Sequence, residues 1–307
     1  MKNVSVLILM STYNGVNYIH EQLESIFSQK EVEVKLLIRD DGSQDNTVAI
    51  LDDFLLRYPK SITLIKGKNI GWRSSFFELI SYAANLSEQY DYIAFSDQDD
   101  IWLPDKLHQA VKCLNTLPSG PQLYCSNLIY YKDGKQMGMV KKRMIDNTPK
   151  GALIRNYAAG CTILFNRPLL LLLAKKRPNA VMPHDYWAYL VATMCGNVYA
   201  DKQAYILYRQ HPMNQIGSQR SKSDIWMRRL KSLSTLFKSL GKEDIANDLL
   251  HIHGESMSEE AIMASRKLSQ YRSSLLKRLG VLFDKKYTYN SFSNNIWLRL
   301  RILLGRL

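Results

Sequence analysis

The sequence predicts an α/β fold, in which a doubly wound, mixed but mainly parallel β-sheet is flanked by helices and followed by a helical C-terminal extension. Three observations lead to this prediction. Short apolar segments rich in β-branched residues alternate with segments whose apolar residues recur at helical spacing. Polar clusters follow three of the apolar segments. After about residue 216 the strand-like segments stop and only helical spacing continues.

The first part of the chain supplies the alternation. Residues 4–10 form a continuous apolar run, which is typical of a strand buried on both faces. Pro104 precedes the last helical segment of this part, as expected for a helix start. The predicted strands are 4–10, 34–38, 62–65 and 92–95, and the predicted helices are 18–29, 47–56, 74–86 and 105–114.

The middle of the chain has shorter and more mixed elements, and the end is helical. We place a boundary near residue 216, which gives a first domain of residues 1–216 and a basic helical extension of residues 217–307. The predicted middle strands are 123–131, 162–165 and 197–208, with a helix at 185–194. The helices predicted after the boundary are 223–240, 242–251, 258–282 and 294–307.

Composition excludes several classes of protein. The chain has 307 residues, of which 46% are hydrophobic and 22% charged, so it can form a core and is not disordered. Its four cysteines form no CxxC pair, which argues against a disulfide framework or a zinc site and favours a reducing compartment. No apolar run approaches the ~20 residues that a membrane span needs.

The net charge of +13 is unevenly distributed. Residues 1–219 contain 24 basic and 20 acidic residues, whereas residues 220–307 contain 17 and 8. Such a basic surplus is compatible with nucleic-acid binding. However, the chain has no helix-turn-helix, zinc-finger or RNP pattern, and its acidic residues 97–100 would repel phosphate without a metal ion. We therefore predict no nucleic-acid partner.

An acidic cluster, Asp97-Gln98-Asp99-Asp100, follows the predicted strand 92–95. Carboxylates crowded in this way repel one another, and a hard divalent cation such as Mg²⁺ or Mn²⁺ relieves the repulsion while also binding phosphate oxygens. The alternative is a solvated loop whose aspartates cap the helix after Pro104. Because two other polar clusters are expected at the same sheet edge, we favour the metal site.

Those two clusters are residues 11–15 and residues 40–43. In the first, an aromatic ring can stack on a nucleobase while hydroxyl and amide groups bind the edge of the base; these side chains belong to Ser11, Tyr13 and Asn14. In the second, Asp41 can accept the imide N–H of a uracil or thymine. The alternatives are an Asn-Gly turn for the first cluster and helix N-capping for the second.

The segments MSTYNG, RDDGSQDNT, NIGWRSSF and SDQDDIWLPDKL together resemble the family 2 glycosyltransferases, which are inverting enzymes with the GT-A fold. The resemblance is dense over residues 1–116 and continues more weakly to about residue 217. SDQDDIW together with YRQHPMNQIG is similar to the branch that contains bacterial rhamnosyltransferases of cell-wall and surface polysaccharides.

The resemblance implies a role for each matching residue. Tyr13 would stack on the pyrimidine, Asp97 would contact the ribose or the metal, and Asp99 would bind the metal that bridges the donor diphosphate. His211 would contact metal or pyrophosphate, and Asp185 would be the general base. The remaining nucleotide contacts would come from Ser11, Asn14 and Asp41. The family often has Glu-Asp where this chain has His184-Asp185.

The reaction implied is a metal-dependent, inverting sugar transfer, with Mn²⁺ or Mg²⁺ as cofactor. The first candidate is transfer of L-rhamnose from dTDP-rhamnose to a saccharide or lipid-linked saccharide acceptor in cell-surface polysaccharide synthesis. A UDP-hexose or UDP-N-acetylhexosamine donor remains an alternative, as does a non-catalytic protein that binds sugar nucleotides. A nucleotidyltransferase is disfavoured, because the loop after the first strand has no lysine or arginine.

The basic extension has two interpretations. Drawn as a helix, residues 296–307 place Arg299 and Arg306 opposite an apolar side. That side consists of Ile296, Trp297, Leu300, Leu303, Leu304 and Leu307. An arginine-rich amphipathic helix suits an anionic membrane surface, so we expect a cytoplasmic protein at the inner face of the plasma membrane. The alternative is packing on the catalytic domain or on a second subunit of a homodimer.

Overall fold

The computed structural model describes residues 4–140, 147–211, 241–289 and 292–307, and these residues form an α/β structure around one large sheet. The strands are β1 (Val4–Thr12), β2 (Val32–Asp40), β3 (Ile62–Lys66), β4 (Tyr92–Ser96), β5 (Ile101–Trp102), β6 (Gln122–Lys132), β7 (Lys135–Met139), β8 (Leu164–Asn166) and β9 (Asn197–Arg209).

The helices of the first part alternate with these strands, and the later ones follow β9. They are α1 (Ile19–Phe27), α2 (Thr47–Arg57), α3 (Trp72–Ala84), α4 (Lys106–Leu114), α5 (Pro149–Ile154), α6 (Arg167–Lys175), α7 (His184–Cys195), α8 (Lys242–His253), α9 (Glu259–Ser269), α10 (Leu275–Leu282) and α11 (Phe292–Leu303). None of the helices in the described part of the chain has the length and hydropathy to span a membrane.

The sheet has the strand order β3-β2-β1-β4-β8-β6-β9-β5, and β7 pairs with β6. Strands β1 to β4 run parallel to one another, and β6 runs parallel to β9. Strand β8 is antiparallel to both of its neighbours, and β5 is antiparallel to β9. The predicted mixed, mainly parallel sheet is therefore confirmed.

Strand register brings the three polar clusters to one edge. Thr12 at the end of β1 pairs with Asp40 at the end of β2, and Met10 pairs with Ser96 at the end of β4. The chain leaves all three strands at the same level of the sheet, as the carboxyl ends of parallel neighbours must. The loops at residues 13–15, 41–43 and 97–100 consequently face one another.

The extension packs on the sheet domain rather than apart from it. Trp187 of α7 belongs to the same buried apolar cluster as Leu249 of α8 and Leu268 of α9. Helices α1, α2 and α4 cover the other side of the sheet with a second cluster. The predicted boundary near residue 216 and the predicted helix 223–240 lie outside the described residues.

The structure corrects the prediction at several places. The single helix predicted over 258–282 is two helices, because Ser274 interrupts the pattern and its hydroxyl accepts the Lys277 N–H at the start of α10. Strand β7 was not predicted; it forms a hairpin with β6 through Asp133 and Gly134, which both have positive φ. The two-residue strand β5 was also missed.

The predicted apolar side of the last helix is partly wrong. Leu307 is buried, and Trp297 is only partly exposed. Arg299, expected on a solvated face, turns inward and donates hydrogen bonds to the carbonyl oxygens of Val281 and Leu282. The buried face of α11 instead carries Leu298 and Ile302, which could not be told from the exposed leucines by spacing alone.

Candidate functional site

The loops after β1 and β4 are joined by Gln98, the residue between the two aspartates. The Tyr13 N–H donates to Gln98 Oε1 at 2.9 Å, and Gln98 Nε2 donates to the Tyr13 carbonyl oxygen at 3.0 Å. A methyl group on Gly15 would lie 2.5 Å from Gln98 Oε1, so glycine leaves room for the amide. The backbone of Tyr13 is thereby fixed while its ring remains 44% exposed.

The other predicted base contacts have intramolecular partners. Asn14 adopts a positive φ of 48°, its N–H donates to Ser43 Oγ at 3.0 Å, and its Oδ1 accepts the Gln44 N–H at 2.8 Å. Ser11 Oγ donates to Ser75 Oγ at 2.7 Å. Asn14 thus joins the β1 and β2 loops, and contact of Asn14 or Ser11 with a base remains a prediction.

Asp41 is buried, and its carboxylate organises the loop before α3. It accepts hydrogen bonds from Arg39, from the Ile70 N–H at 2.9 Å and from the Gly71 N–H at 2.8 Å. A carboxylate has about four acceptor positions. The structure therefore shows a structural role for Asp41, and its contact with a base N–H remains a prediction.

Asp97 belongs to a buried group with Asp100 and Cys161, whose ligand atoms all lie within 4.8 Å of one another. Burial, and then repulsion from Asp99 and Asp185, raises the pKa of Asp97 to about 7. Burial is also the main cause that raises the pKa values of Asp100 and Cys161 well above their usual range. These pKa shifts favour uncharged forms of Asp100 and Cys161.

A buried amine lies next to this group. Lys106 Nζ lies 3.6 Å from the centre of the Trp102 ring and has no hydrogen-bond partner among the described residues. Burial lowers the pKa of Lys106 to about 7, although Cys161 and Asp100 oppose the shift. Because this amine lies near Asp100 and Cys161, we assign those two residues a structural role. Asp97 stays a predicted nucleotide contact, and Asp99 and His211 stay the predicted metal ligands.

Asp99 and His211 lie together although 112 residues separate them. His211 Nε2 is 2.7 Å from Asp99 Oδ2, and the imidazole stacks on Tyr18 with 4.7 Å between the ring centres. Arg209 Nε donates to the Asp99 carbonyl oxygen at 3.0 Å, which fixes the end of β9 against the acidic loop. The structure thus brings the two predicted metal ligands into contact.

The predicted base, Asp185, is in the first turn of α7. Its carboxylate accepts hydrogen bonds from the Tyr186 N–H at 2.7 Å and from Asn156 Nδ2 at 3.2 Å. Burial raises the pKa of Asp185 to about 6, while these hydrogen bonds and one from the Gly160 backbone lower it. The negative charge of Asp185 also contributes to the raised pKa of Asp97. A Cβ on Gly160 would lie 3.4 Å from Asp185 Cβ, and the adjacent Cys161 groups with Asp97 within 4.8 Å, so the predicted base lies near the acidic loop.

The extension supports the helix that carries this base. Lys242 Nζ at the start of α8 donates to the Tyr186 hydroxyl at 2.8 Å, and that hydroxyl also contacts the Ala152 carbonyl oxygen at 2.8 Å. Burial and the nearby Arg301 lower the pKa of Lys242 to about 7. Residues after the predicted boundary therefore help to hold the residue that follows Asp185.

His184 stands where the family often has glutamate, and its surroundings explain the difference. Its ring stacks on Phe76 at 3.6 Å and meets Phe95 edge-on at 4.6 Å. Among the described residues it has no hydrogen-bond partner, and burial lowers the pKa of His184 to about 3. A neutral imidazole fits this apolar position, where a carboxylate would be unpaired.

Three supporting residues were not identified from the sequence: Gln98, Asn156 and Arg39. Gln98 lies inside the acidic cluster, and its position between Asp97 and Asp99 was the signal that could have identified it as a supporting residue. Arg39, the second-last residue of β2, is almost fully buried and pairs with Asp41, which a charge-pair pattern could have suggested. Asn156 carries no local signal, because only the tertiary fold places it against Asp185.

Comparison with known proteins agrees with this geometry. The family model described as glycosyl transferase family 2 matches residues 7–170. The dTDP-rhamnosyl transferase RfbG of Shigella flexneri is 37% identical over 218 residues, which cover 68% of this chain and 74% of that protein. The putative glycosyltransferase EpsE of Bacillus subtilis is 34% identical over 110 residues, or 36% of this chain and 38% of that one.

Among solved structures, residues 1–349 of TarS from S. aureus in complex with UDP-GlcNAc align over 98% of this chain and 91% of that one, at 14% identity and a TM-score of 0.50. This likeness concerns the fold, and it agrees with the expected GT-A arrangement. The family model spans more than half of the chain, and the strand-end site lies within or beside it. The chain is a glycosyltransferase that belongs to glycosyl transferase family 2.

Proposed function

We propose that the chain transfers L-rhamnose from dTDP-rhamnose, with inversion, to a hydroxyl group of a saccharide or lipid-linked saccharide acceptor in cell-surface polysaccharide synthesis. The choice of L-rhamnose as the sugar rests on the similarity to RfbG, which is a dTDP-rhamnosyl transferase. The observation that carries the proposal is the position of Asp185 beside Gly160, whose neighbour Cys161 lies within 4.8 Å of the ligand atoms of Asp97 and Asp100 in the acidic loop. A proton acceptor then stands beside the place expected for a nucleotide diphosphate.

The nucleotide end of the donor would bind between the β1 and β2 loops. Tyr13 is 44% exposed on a fixed backbone, and Asp41 would accept the imide N–H of the base. Thymine and uracil share that N–H, so a UDP-hexose or UDP-N-acetylhexosamine fits the same contacts. Ser11, Asn14 and Asp97 would complete the nucleotide site.

The donor set at Asp99 and His211 fits a divalent cation. Two ligands of one Mg²⁺ or Mn²⁺ at ~2.1 Å each lie roughly 3 Å apart in octahedral geometry, close to the 2.7 Å between Oδ2 and Nε2. Carboxylate and phosphate oxygens suit both ions, and an imidazole suits a transition metal better than Mg²⁺. When bound, the ion would neutralise charge on the diphosphate leaving group.

Asp185 would act as the base. Its pKa of about 6 leaves the carboxylate ionised at neutral pH yet basic enough to accept a proton. The acceptor hydroxyl gives its proton to Asp185, and the hydroxyl oxygen forms a bond to the anomeric carbon of the donor sugar. At the same time the bond between that carbon and the diphosphate oxygen breaks. Attack opposite the leaving group inverts the anomeric centre. A general base contributes ~10²–10⁴-fold to such a rate.

A thermal-shift screen of nucleotide sugars with Mn²⁺ or Mg²⁺ tests the donor. We expect dTDP-rhamnose with Mn²⁺ to raise the melting temperature most, and Asp99→Ala to lose the rise. Asp53→Ala, an exposed carboxylate on α2, is the matched control and should retain it. Equal stabilisation by every donor, or a full shift in Asp99→Ala, would contradict the proposal. We also propose that transfer takes place in the cytoplasm, at the inner face of the plasma membrane.

A further inference from the structure

The last two helices expose a row of large apolar side chains. On α11 the exposed apolar residues are Phe292, Ile296, Leu300 and Leu303, and Leu304 follows directly after its end; these five are between 41% and 83% exposed. At about 100° per residue they fall within roughly 120° of one side of the helix. No charged residue of α11 falls in this arc, whose only other member is Ser293.

The neighbouring helix α10 also carries exposed apolar residues at its ends. Arg299 of α11 donates to carbonyl oxygens at the end of α10, so the two helices lie side by side. Leu275 and Leu276 at the start of α10 and Phe283 just after its end are also exposed. We call these eight residues of α10 and α11 the apolar row. Large exposed apolar patches rimmed by polar residues mark protein–protein or membrane interaction sites.

The charge around the apolar row is positive. Residues 275–307 contain seven lysines and arginines but a single acidic residue, Asp284. The Asp284 carboxylate is already paired with Lys150 and Lys267, each at 2.8 Å. Lys277 and Lys285 are exposed, and so is Lys286. Residues 275–307 therefore offer exposed apolar side chains and exposed amines, and their one acidic side chain is already paired.

We propose that the apolar row is a docking surface for an anionic lipid bilayer. Apolar side chains on one side of a helix enter the headgroup region, and lysines beside them meet lipid phosphates. Charge complementarity favours this occupant over a second copy of the chain, which would bring the same positive charge. Residues 212–240 contain six basic residues and one acidic residue, so they are disfavoured as the occupant of the apolar row for the same reason.

The proposal is independent of the sugar-transfer chemistry, because none of these residues belongs to the strand-end site. Docking would hold the extension, and with it α7 through the Lys242–Tyr186 contact, at the membrane surface. The docking proposal refines the membrane contact predicted from the sequence by naming the exposed residues. Phe292 and the start of α10 are among them, whereas Leu307 is buried.

Vesicle flotation of the full chain tests the proposal, with vesicles of phosphatidylcholine alone or mixed with phosphatidylglycerol. We expect flotation with the anionic vesicles only. The triple variant Ile296→Gln, Leu300→Gln, Leu303→Gln should lose it by about tenfold or more. The matched control, Leu56→Gln, Leu171→Gln, Met263→Gln, changes equally exposed residues elsewhere and should float as the wild type does.

Replacing Lys277, Lys285 and Lys286 by Gln should also reduce flotation and its sensitivity to salt. Three results would overturn the proposal. The α11 triple variant could float like the wild type, or the wild type could bind both vesicle types equally. Alternatively, light scattering could show a dimer that the triple variant converts to a monomer, which would assign the row to a second copy. Donor-induced thermal stabilisation should be unchanged in every variant.

Discussion

The side-chain amide of Gln98 and the backbone of Tyr13 are bound to each other in both directions, at 2.9 and 3.0 Å. This pair ties the loop expected to hold the nucleobase to the loop expected to hold the diphosphate. The two ends of a nucleotide donor would therefore bind to one preorganised surface. Binding would cost less free energy than it would with two independent loops, because the loops are already ordered together.

We expect Gln98→Ala to raise KM for the donor by about tenfold, because two hydrogen bonds of ~0.5–1.5 kcal/mol each are lost. Gln89→Ala, an exposed glutamine away from the site, is the control. Gly15→Ala should have a similar effect, since its methyl group would collide with Gln98 Oε1. In the Gln98→Ala background the same change should cost little. Additive effects in this double-mutant cycle would refute the role of the pair.

His211→Ala should raise the Mn²⁺ concentration needed for half-maximal activity by about tenfold or more, because one of the two predicted protein ligands is removed. Titration calorimetry of Mn²⁺ in the presence of donor measures the same loss directly. His108→Ala, a histidine on α4 paired with the exposed Glu31, should behave as the wild type does. Unchanged Mn²⁺ affinity in His211→Ala would remove this residue from the metal site.

Activity should depend on pH through Asp185. With a pKa of about 6, the base is protonated and inactive at low pH, so kcat/KM should rise through pH 6 and level off above it. Asn156→Ala removes a hydrogen bond that lowers this pKa, and the rise should move to higher pH. A lower plateau with no shift would mean that Asn156 acts in some other way. Asn179→Ala, another asparagine bonded to a carboxylate, should not move the profile.

His184→Glu should destabilise the protein even though it restores the pattern common in the family. A carboxylate among Phe76, Phe95 and Trp72 has no described partner, and such burial costs several kcal/mol. Its folded-state pKa would be raised, so the loss of stability should grow as pH rises above the unfolded value of about 4.3. Chemical denaturation at pH 5 and pH 8 checks this. Equal stability of variant and wild type at pH 8 would contradict it.

Much of the site could be predicted because it follows strand ends. Apolar runs identify β1, β2 and β4, and parallel pairing then brings the residues after them together. The contact between Asp99 and His211 was not predictable from local spacing, because β9 reaches the acidic loop only through the antiparallel pairing with β5, a strand of two residues. The inward turn of Arg299 likewise depends on tertiary contacts, whereas the Ser274 cap that separates α10 from α9 is a local signal.

The most direct test of the central claim is donor turnover by the wild type and by Asp185→Asn. Purified protein would be incubated with dTDP-rhamnose, Mn²⁺ and a panel of saccharide acceptors, while dTDP release and donor binding are measured in parallel. We expect the wild type to release dTDP and form a product with inverted anomeric configuration. Asp185→Asn should bind the donor with similar affinity but release dTDP ~10²–10⁴-fold more slowly. A fully active Asp185→Asn, or a product with retained configuration, would contradict the assignment of this site.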